Sequence, residues 1–169
     1  LFMLDNQGIP TCQTSLRIAR DANNLYLLIE YQEPQQDIDN EFEVWMMPGA
    51  KKVYQLRIFD GDHMEILRNG VRQWNSGISL TRPAAHSYLV TVPLKMLGAL
   101  TPTGTLRFNV GRVRPSSPTE SGEITTWAPL RKSFTETQNF GTLTFQEPKR
   151  EVKVLNCGKG GYTVAQLMG

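Results

Sequence analysis

Two neighbouring segments carry the clearest pattern in this chain: Glu41-Phe42-Glu43-Val44-Trp45-Met46-Met47 and Val53-Tyr54-Gln55-Leu56-Arg57-Ile58-Phe59. In both segments apolar side chains alternate with more polar ones, which is the period-two repeat of a strand with one buried face. Residues 48–51 lie between them and include Pro48 and Gly49, which favour a turn. The two segments therefore predict an antiparallel hairpin.

The two faces of this hairpin differ in chemistry. We predict that Glu43 lies opposite Arg57 and Trp45 opposite Gln55 on the more polar face. The other face is apolar and pairs Phe42, Val44 and Met46 with Ile58, Leu56 and Tyr54. A sheet with one apolar face has to cover that face with a second layer. The hairpin thus predicts a sandwich whose polar face is free to carry a function.

Other parts of the chain supply enough further strands for two layers. Alternating or apolar segments bounded by turn residues occur at residues 2–4, 14–20, 25–31, 64–67, 71–74, 88–94, 105–114, 125–127 and 140–145. No long amphipathic helix is predicted, although residues 94–100 are compatible with one helical turn. We predict an all-β, antiparallel, jelly-roll-like β-sandwich with long loops over residues 1–148. A tail follows over residues 149–169, with one further strand at 152–155.

Composition gives little sign of a charged partner. Eighteen basic and sixteen acidic side chains leave a net charge of +2, which favours neither DNA nor an anionic membrane surface. No apolar run reaches the ~20 residues of a membrane span. The chain begins at Leu1 rather than Met, so we expect a fragment of a longer protein. Nucleic acid and membrane are thus not expected as partners.

The two cysteines, Cys12 and Cys157, lie near opposite ends of the chain. In a sandwich the first and last strands are often neighbours, so a disulfide between them would fasten the tail. Two separate buried thiols are the alternative. Together with His63 and His86 they lack the spacing of a zinc site.

Seven short motifs follow one another in a recognisable order. They are Leu25-Tyr26 with Glu33-Pro34, then Asn40-Glu41-Phe42-Glu43-Val44, Tyr54-Gln55-Leu56-Arg57, the strand at 88–94, Arg107-Phe108-Asn109, Trp127-Ala128-Pro129 and Asn139-Phe140-Gly141-Thr142-Leu143. Over residues 15–145 the chain resembles the family 9 carbohydrate-binding modules and their relatives. The resemblance implies a β-sandwich in a secreted polysaccharide-degrading protein, where it is an accessory domain tethered to a catalytic domain.

The same resemblance implies a sugar site. Sugar-binding members of the family hold a terminal saccharide between two aromatic rings and bond its hydroxyls with polar side chains. The family's carboxylate falls on Glu43, its arginine on Arg57 and one of its rings on Phe134. Residues 35–38 contain no ring where the second one is expected, and Gly111 stands where a glutamine is expected.

The residue types themselves are compatible with this site. A carboxylate and a guanidinium on adjacent strands, as predicted for Glu43 and Arg57, can bond neighbouring hydroxyls of one pyranose. The alternative is an ion pair on a solvated face. Phe134 lies in a polar loop and is either a stacking platform or a loop anchor. Trp127 is either a stacking platform for a sugar or part of the core. Asn109 either bonds a sugar hydroxyl or makes ordinary hydrogen bonds on the surface of the sheet.

An enzyme is not predicted. The chain has no Gly-x-Ser-x-Gly elbow, no phosphate-binding glycine loop and no His-Glu-x-x-His pair. Its closely spaced carboxylates, such as Glu41 with Glu43, are interpreted as solvated surface groups. No cofactor is expected, and a calcium ion held by Asp37 and Asp39, or by Asp60 and Asp62, would be structural at most.

The leading interpretation is therefore a non-catalytic domain that binds a glycan through Glu43, Arg57, Asn109, Trp127 and Phe134. One alternative is a β-sandwich that has lost its ligand and serves as a spacer or docking module, which the missing ring before Asn40 favours. Another is a haem-binding sandwich, for which the candidate ligands are Met46 or Met47 with His63 or His86.

Overall fold

The computed structural model describes residues 2–3, 9–34, 38–59, 61–98 and 104–145. Within these residues the chain forms two antiparallel sheets that pack face to face, and the only helical elements are 3₁₀ turns at Leu94–Leu97 and Thr137–Asn139. The predicted all-β sandwich with long loops is confirmed. None of the helices in the described part of the chain is long and apolar enough to cross a membrane.

Twelve strands make up the described sheets. In chain order they are β1 (Phe2–Met3), β2 (Thr14–Arg20), β3 (Asn24–Tyr31), β4 (Glu41–Gly49), β5 (Lys52–Phe59), β6 (His63–Arg68), β7 (Val71–Arg72), β8 (Ser79–Thr81), β9 (Ser87–Pro93), β10 (Thr105–Arg114), β11 (Glu123–Thr126) and β12 (Gly141–Thr144). The larger sheet has the order β1-β11-β10-β4-β5-β6-β7, and β12 pairs with the first half of β10. The smaller sheet has the order β2-β3-β9-β8.

The β4–β5 hairpin has the register that the alternating pattern predicts. Glu43 pairs with Arg57, Trp45 with Gln55 and Met46 with Tyr54. The turn differs from the prediction, because β4 continues through Pro48–Gly49 across a bulge that lies between Met46 and Gly49. The turn itself is thus reduced to Ala50 and Lys51.

The hydrophobic core lies between the two sheets. Phe42, Val44 and Met46 of β4 are fully buried against apolar side chains of β3 and β9 in the smaller sheet, among them Leu27 and Val90. Such burial stabilises the fold by about 25 cal/mol for each Å² of apolar surface removed from water. Since the inner faces are occupied in this way, the space between the sheets is not available to a ligand in the described part of the chain.

One end of the core is ionic, which the sequence pattern does not predict. Arg112 and Arg114 continue the inward phase of β10, and both guanidinium groups bond the carboxylate of Glu33 at 2.9 Å. The three side chains are only 2%, 1% and 4% exposed. Burial lowers the pKa of Arg112. The hydrogen bond between Arg114 and Glu33 raises the pKa of Arg114. Buried charges are tolerated only when they are paired. Because Glu33 pairs with both arginines, this end of the sandwich can be filled by charged side chains.

Several predictions fall outside the described residues. The tail over 149–169, its predicted strand at 152–155 and the boundary near residue 148 all do so. Cys12 is buried, but Cys157 lies in the same tail, so the disulfide stays a prediction.

Candidate functional site

The outer face of the larger sheet carries a row of residues that runs across the strands. Gly111 of β10 pairs with Glu43 of β4, Glu43 pairs with Arg57 of β5, and Arg57 pairs with Glu65 of β6. Side chains that are paired in this way have Cβ atoms about 4.5–5.5 Å apart. The register therefore brings a carboxylate and a guanidinium together on the face that is turned away from the core.

The ring of Phe134 completes this row. It fills the space above Gly111, where a Cβ atom would overlap Cε1 and Cζ of the ring. Only glycine at position 111 leaves room for the ring in this position. Because Gly111 pairs with Glu43, the half-buried ring lies directly beside that carboxylate. The structure thus brings Phe134, Glu43 and Arg57 together.

The loop that carries Phe134 is packed onto the sheet by a second hydrophobic cluster. This cluster lies on the outer face and is formed by Trp45, Met47, Leu130 and Phe140, with Val53 and Phe134 at its margin. Trp45 is only 8% exposed and meets Phe140 edge-on, with ring centroids 6.1 Å apart. Trp45 is therefore covered by the loop and is not a binding platform.

Glu136 organises the same loop from within. Its carboxylate accepts hydrogen bonds from the backbone N–H groups of Arg131, Lys132 and Ser133 and from the side chain of Asn139. These donors, led by the Lys132 N–H, lower the pKa of Glu136. A charged carboxylate at the centre of the loop thus fixes the backbone on which Phe134 stands.

Glu43 is half-buried, and only one of its two carboxylate oxygens is hydrogen-bonded within the described part of the chain. Its Oε2 atom accepts hydrogen bonds from Nε1 of Trp45 at 2.7 Å and from Nε2 of Gln55 at 3.0 Å. Burial raises the pKa of Glu43 despite these bonds. No residue in the described part of the chain bonds to its Oε1 atom, which therefore remains an available acceptor.

Arg57 lies between two other carboxylates. Its Nε atom is 2.7 Å from Glu41, and its Nη1 atom is 3.5 Å from Glu65. The guanidinium also lies over the ring of Phe59. The bond to Glu41 raises the pKa of Arg57, so the group is always charged. Its side chain is 36% exposed, and among the described residues none bonds to its Nη2 atom.

These three side chains form a small amphipathic surface. The ring of Phe134 offers an apolar contact, Glu43 an acceptor and Arg57 a donor, all in one line across adjacent strands. A pyranose has both apolar C–H faces and equatorial hydroxyls, so it can satisfy all three groups at once.

Asn109 is placed differently from the prediction. It lies on the outward side of β10, as expected, but is 0% exposed because the loop after β11 covers it. Its Oδ1 atom accepts the N–H of Ala128 at 2.9 Å and that of Val110 at 3.0 Å. The assignment of Asn109 as a direct hydroxyl partner is therefore corrected. Its role in the structure is to fasten the start of the loop that carries Phe134.

Trp127 also differs in position from the rest of the predicted site. Its half-buried ring packs edge-on against Phe108, with centroids 5.7 Å apart, and covers Gly141. Phe108 belongs to the core, so Trp127 lies on the opposite side of β10 from Glu43. Of the two interpretations of Trp127, core packing fits this arrangement and a shared platform with Phe134 does not.

The candidate metal and haem ligands are dispersed. Among residues that the structure describes, no three His, Cys, Asp or Glu side chains could hold a metal ion together. Asp39 and Asp62 are exposed, whereas their predicted companions Asp37 and Asp60 lie outside the described residues. Predicted calcium sites at those two pairs stay predictions.

The haem candidates are each engaged elsewhere. Met46 is fully buried in the core, and Met47 belongs to the second hydrophobic cluster. His63 stacks on Phe59 in the larger sheet, and His86 meets Tyr31 in the smaller one. Axial haem ligands have to face one another across a cavity, and nothing in these contacts provides one.

A cleft of about 370 Å³ lies elsewhere, at the β4–β5 turn. Its lining includes Pro48, Lys51 and Leu97. Since Glu43 and Gly49 lie near opposite ends of β4, this cleft is remote from the row. The candidate site is thus an open surface and not a pocket.

Comparison with known proteins supports the architecture. No family model and no curated protein matches this chain. Among solved structures, the fold is similar to that of a "putative carbohydrate-binding protein" from Bacteroides uniformis, with a TM-score of 0.59. The match covers 80% of this chain and 79% of the other at 17% identity. At this identity the likeness shows the fold alone, and the resemblance to family 9 stays a prediction.

Proposed function

We propose that this chain is a non-catalytic carbohydrate-binding domain that holds a sugar against the outer face of its larger sheet. Phe134 would stack on the apolar face of the sugar, while Oε1 of Glu43 accepts from one hydroxyl and Nη2 of Arg57 donates to another. The observation that carries the proposal is the register, which aligns Gly111 under Phe134, Glu43 and Arg57 in one row.

The biological setting is part of the same proposal. The sequence resembles family 9 modules, and the structurally similar chain from Bacteroides uniformis is named as a carbohydrate-binding protein. The neighbour's name supports carbohydrate binding, and the sequence resemblance supports an accessory role in a secreted polysaccharide-degrading enzyme. Such a domain would keep a tethered catalytic domain close to its insoluble substrate by raising the local concentration.

A glycan array followed by titration calorimetry tests the binding function. We expect saturable binding of at least one neutral glycan, weakened by about tenfold, or about 1.4 kcal/mol, in Phe134→Ala and in Arg57→Ala. Arg17→Ala is the matched control, because Arg17 forms an exposed ion pair with Glu30 on the smaller sheet. It should bind like the unmodified chain.

Two results would contradict the proposal. One is the absence of binding to every glycan on the array. The other is binding that Phe134→Ala and Arg57→Ala leave unchanged while both variants keep the melting temperature of the parent chain.

A specific observation favours a second function, that of a ligand-free spacer or docking module. Arg57 already has two carboxylate partners, and one oxygen of Glu43 is saturated by Trp45 and Gln55. A surface that satisfies most of its own groups can persist without a ligand. The glycan array separates the two functions, since a spacer would bind nothing on it.

A further inference from the structure

The row on the outer face continues to the edge of the larger sheet. Leu67 pairs with Arg72 in the last described ladder, and the N–H of Gln73 bonds the carbonyl of Ile66 at 2.8 Å. Trp74 follows one residue later, in a bend just beyond β7. Because Arg72 contacts both Trp74 and Glu65, and Glu65 pairs with Arg57, Trp74 lies at the end of the row that contains Glu43.

Side-chain contacts join this edge to the candidate site. Arg72 is 3.3 Å from Glu65 through its Nη2 atom, and its guanidinium lies 4.4 Å from the ring centroid of Trp74. Glu65 in turn contacts Arg57 at 3.5 Å. An unbroken series of polar contacts therefore extends from Arg57 to Trp74.

Trp74 is the one aromatic side chain among the exposed large apolar residues of the described chain. It is 78% exposed although Arg72 covers part of its ring. A large, exposed aromatic ring can gain free energy by burial against the apolar face of a ligand. The ring of Trp74 therefore offers a second stacking surface at the far end of the row.

The row is long enough for several linked sugars and longer than a single sugar. Four strand spacings separate β10 from β7, which corresponds to about 19 Å. An aromatic ring stands at each end, Phe134 over β10 and Trp74 at β7. Between them an acceptor, a donor and a second acceptor alternate at Glu43, Arg57 and Glu65.

We propose that the row binds the interior of an extended glycan, several linked sugars long, that lies across the strands between Phe134 and Trp74. This inference rests on the proposed function and specifies its ligand. The glycan is neutral, because the carboxylates of the row compensate its guanidinium groups and leave no excess positive charge for an acidic polymer. It binds along its length, since the groups that contact it extend over about 19 Å.

Oligosaccharide length is the variable that tests this inference. We would titrate β-1,4-linked oligomers of glucose, xylose and mannose, from dimer to hexamer, against the unmodified chain, Trp74→Ala and Phe134→Ala. Val71→Ala is the matched control, since Val71 is an exposed residue of the same edge strand and points away from Arg72. Thermal melts would establish that each variant is folded.

The expected pattern has two parts. Affinity of the unmodified chain should rise with length up to several sugars, and Trp74→Ala should weaken hexamer binding by about tenfold while leaving dimer binding unchanged. Phe134→Ala should weaken both, and Val71→Ala neither.

Contrary results separate this inference from the proposed function. If dimer and hexamer bind equally and Trp74→Ala changes neither, while Phe134→Ala still weakens both, the extended ligand is wrong and the sugar site remains. If no oligomer or array glycan binds at all, both fail.

Discussion

Glu43 is a carboxylate whose charge the fold opposes. Burial raises its pKa above the ordinary value of 4.5, so the folded chain holds a proton at pH values where the unfolded chain has lost it. Between the ordinary and the raised pKa the folded state therefore binds more protons, and stability falls as pH rises through that range. The charge of Glu43 thus does not stabilise the fold, which is compatible with a role in binding.

Replacing Glu43 by glutamine should remove this pH dependence. Both hydrogen bonds to Glu43 reach Oε2, so the single carbonyl oxygen of the introduced amide can accept both. We expect the Glu43→Gln variant to equal or exceed the stability of the parent at pH about 7, with an advantage that grows as pH rises from about 4.5. Urea titrations across this range measure it.

Glu30→Gln, on the smaller sheet, is the control for the loss of one carboxylate. A Glu43→Gln variant that is less stable than the parent at neutral pH, with an unaltered pH dependence, would show that burial does not oppose the charge. In either case glycan affinity should fall, because the amide places an NH2 donor where Oε1 of Glu43 is proposed to accept a hydroxyl.

The loop from Leu130 to Phe140 is the element on which the proposed site depends. Its anchors are Phe140 and Leu130 in the second cluster and the carboxylate of Glu136 beneath the backbone. Backbone N–H donors lower the pKa of Glu136, so the contribution of Glu136 to the loop is present at neutral pH and is lost as pH falls through that lowered value.

Glu136→Ala should therefore loosen the loop without unfolding the sandwich. We expect a small change in melting temperature, faster amide hydrogen exchange at residues 131–135 and a loss of glycan affinity comparable with that of Phe134→Ala. Glu136→Gln, which keeps one acceptor oxygen, should lie between the two. Unchanged exchange and affinity in Glu136→Ala would show that the apolar anchors alone fix the ring.

Elements with strict alternation could be predicted from the sequence, and the reason is physical. In β4 and β5 a slip of one residue would expose Phe42, Val44 and Ile58, so only one register is stable. The short strand β8 was missed because three residues, Ser79–Thr81, give too little pattern. The burial of Asn109 could not be predicted either. It depends on a loop that is distant in sequence and contacts Asn109 only in the folded chain.

Charged residues that point into the core also could not be predicted from the sequence. Arg112 and Arg114 continue the phase of Val110, but an arginine in a strand ordinarily indicates a solvated face. Their partner Glu33 lies 79 residues from Arg112 in the sequence, so no local sequence pattern predicts the ion pair. Trp74 could not be placed from the sequence for a similar reason, since its row crosses β10, β4, β5 and β6 and ends just beyond β7.

At the scale of the whole molecule, the two faces of the larger sheet have separate tasks. The inner face packs against the smaller sheet, and the ionic network around Glu33 closes one end. Part of the outer face is covered by the loop that carries Phe134. The row from Phe134 to Trp74 remains at least partly accessible on this face, and the proposed function depends on a glycan binding there.

The three tryptophans allow a direct measurement of that claim. Trp45 donates its indole N–H to Glu43 beneath the site, Trp74 stands at the far end of the row, and Trp127 packs on the core side of β10. In a titration of ¹⁵N-labelled protein with a binding hexasaccharide, the indole N–H signals of Trp45 and Trp74 should shift while that of Trp127 stays. Saturable binding that shifts Trp127 alone, or none of the three, would contradict the account.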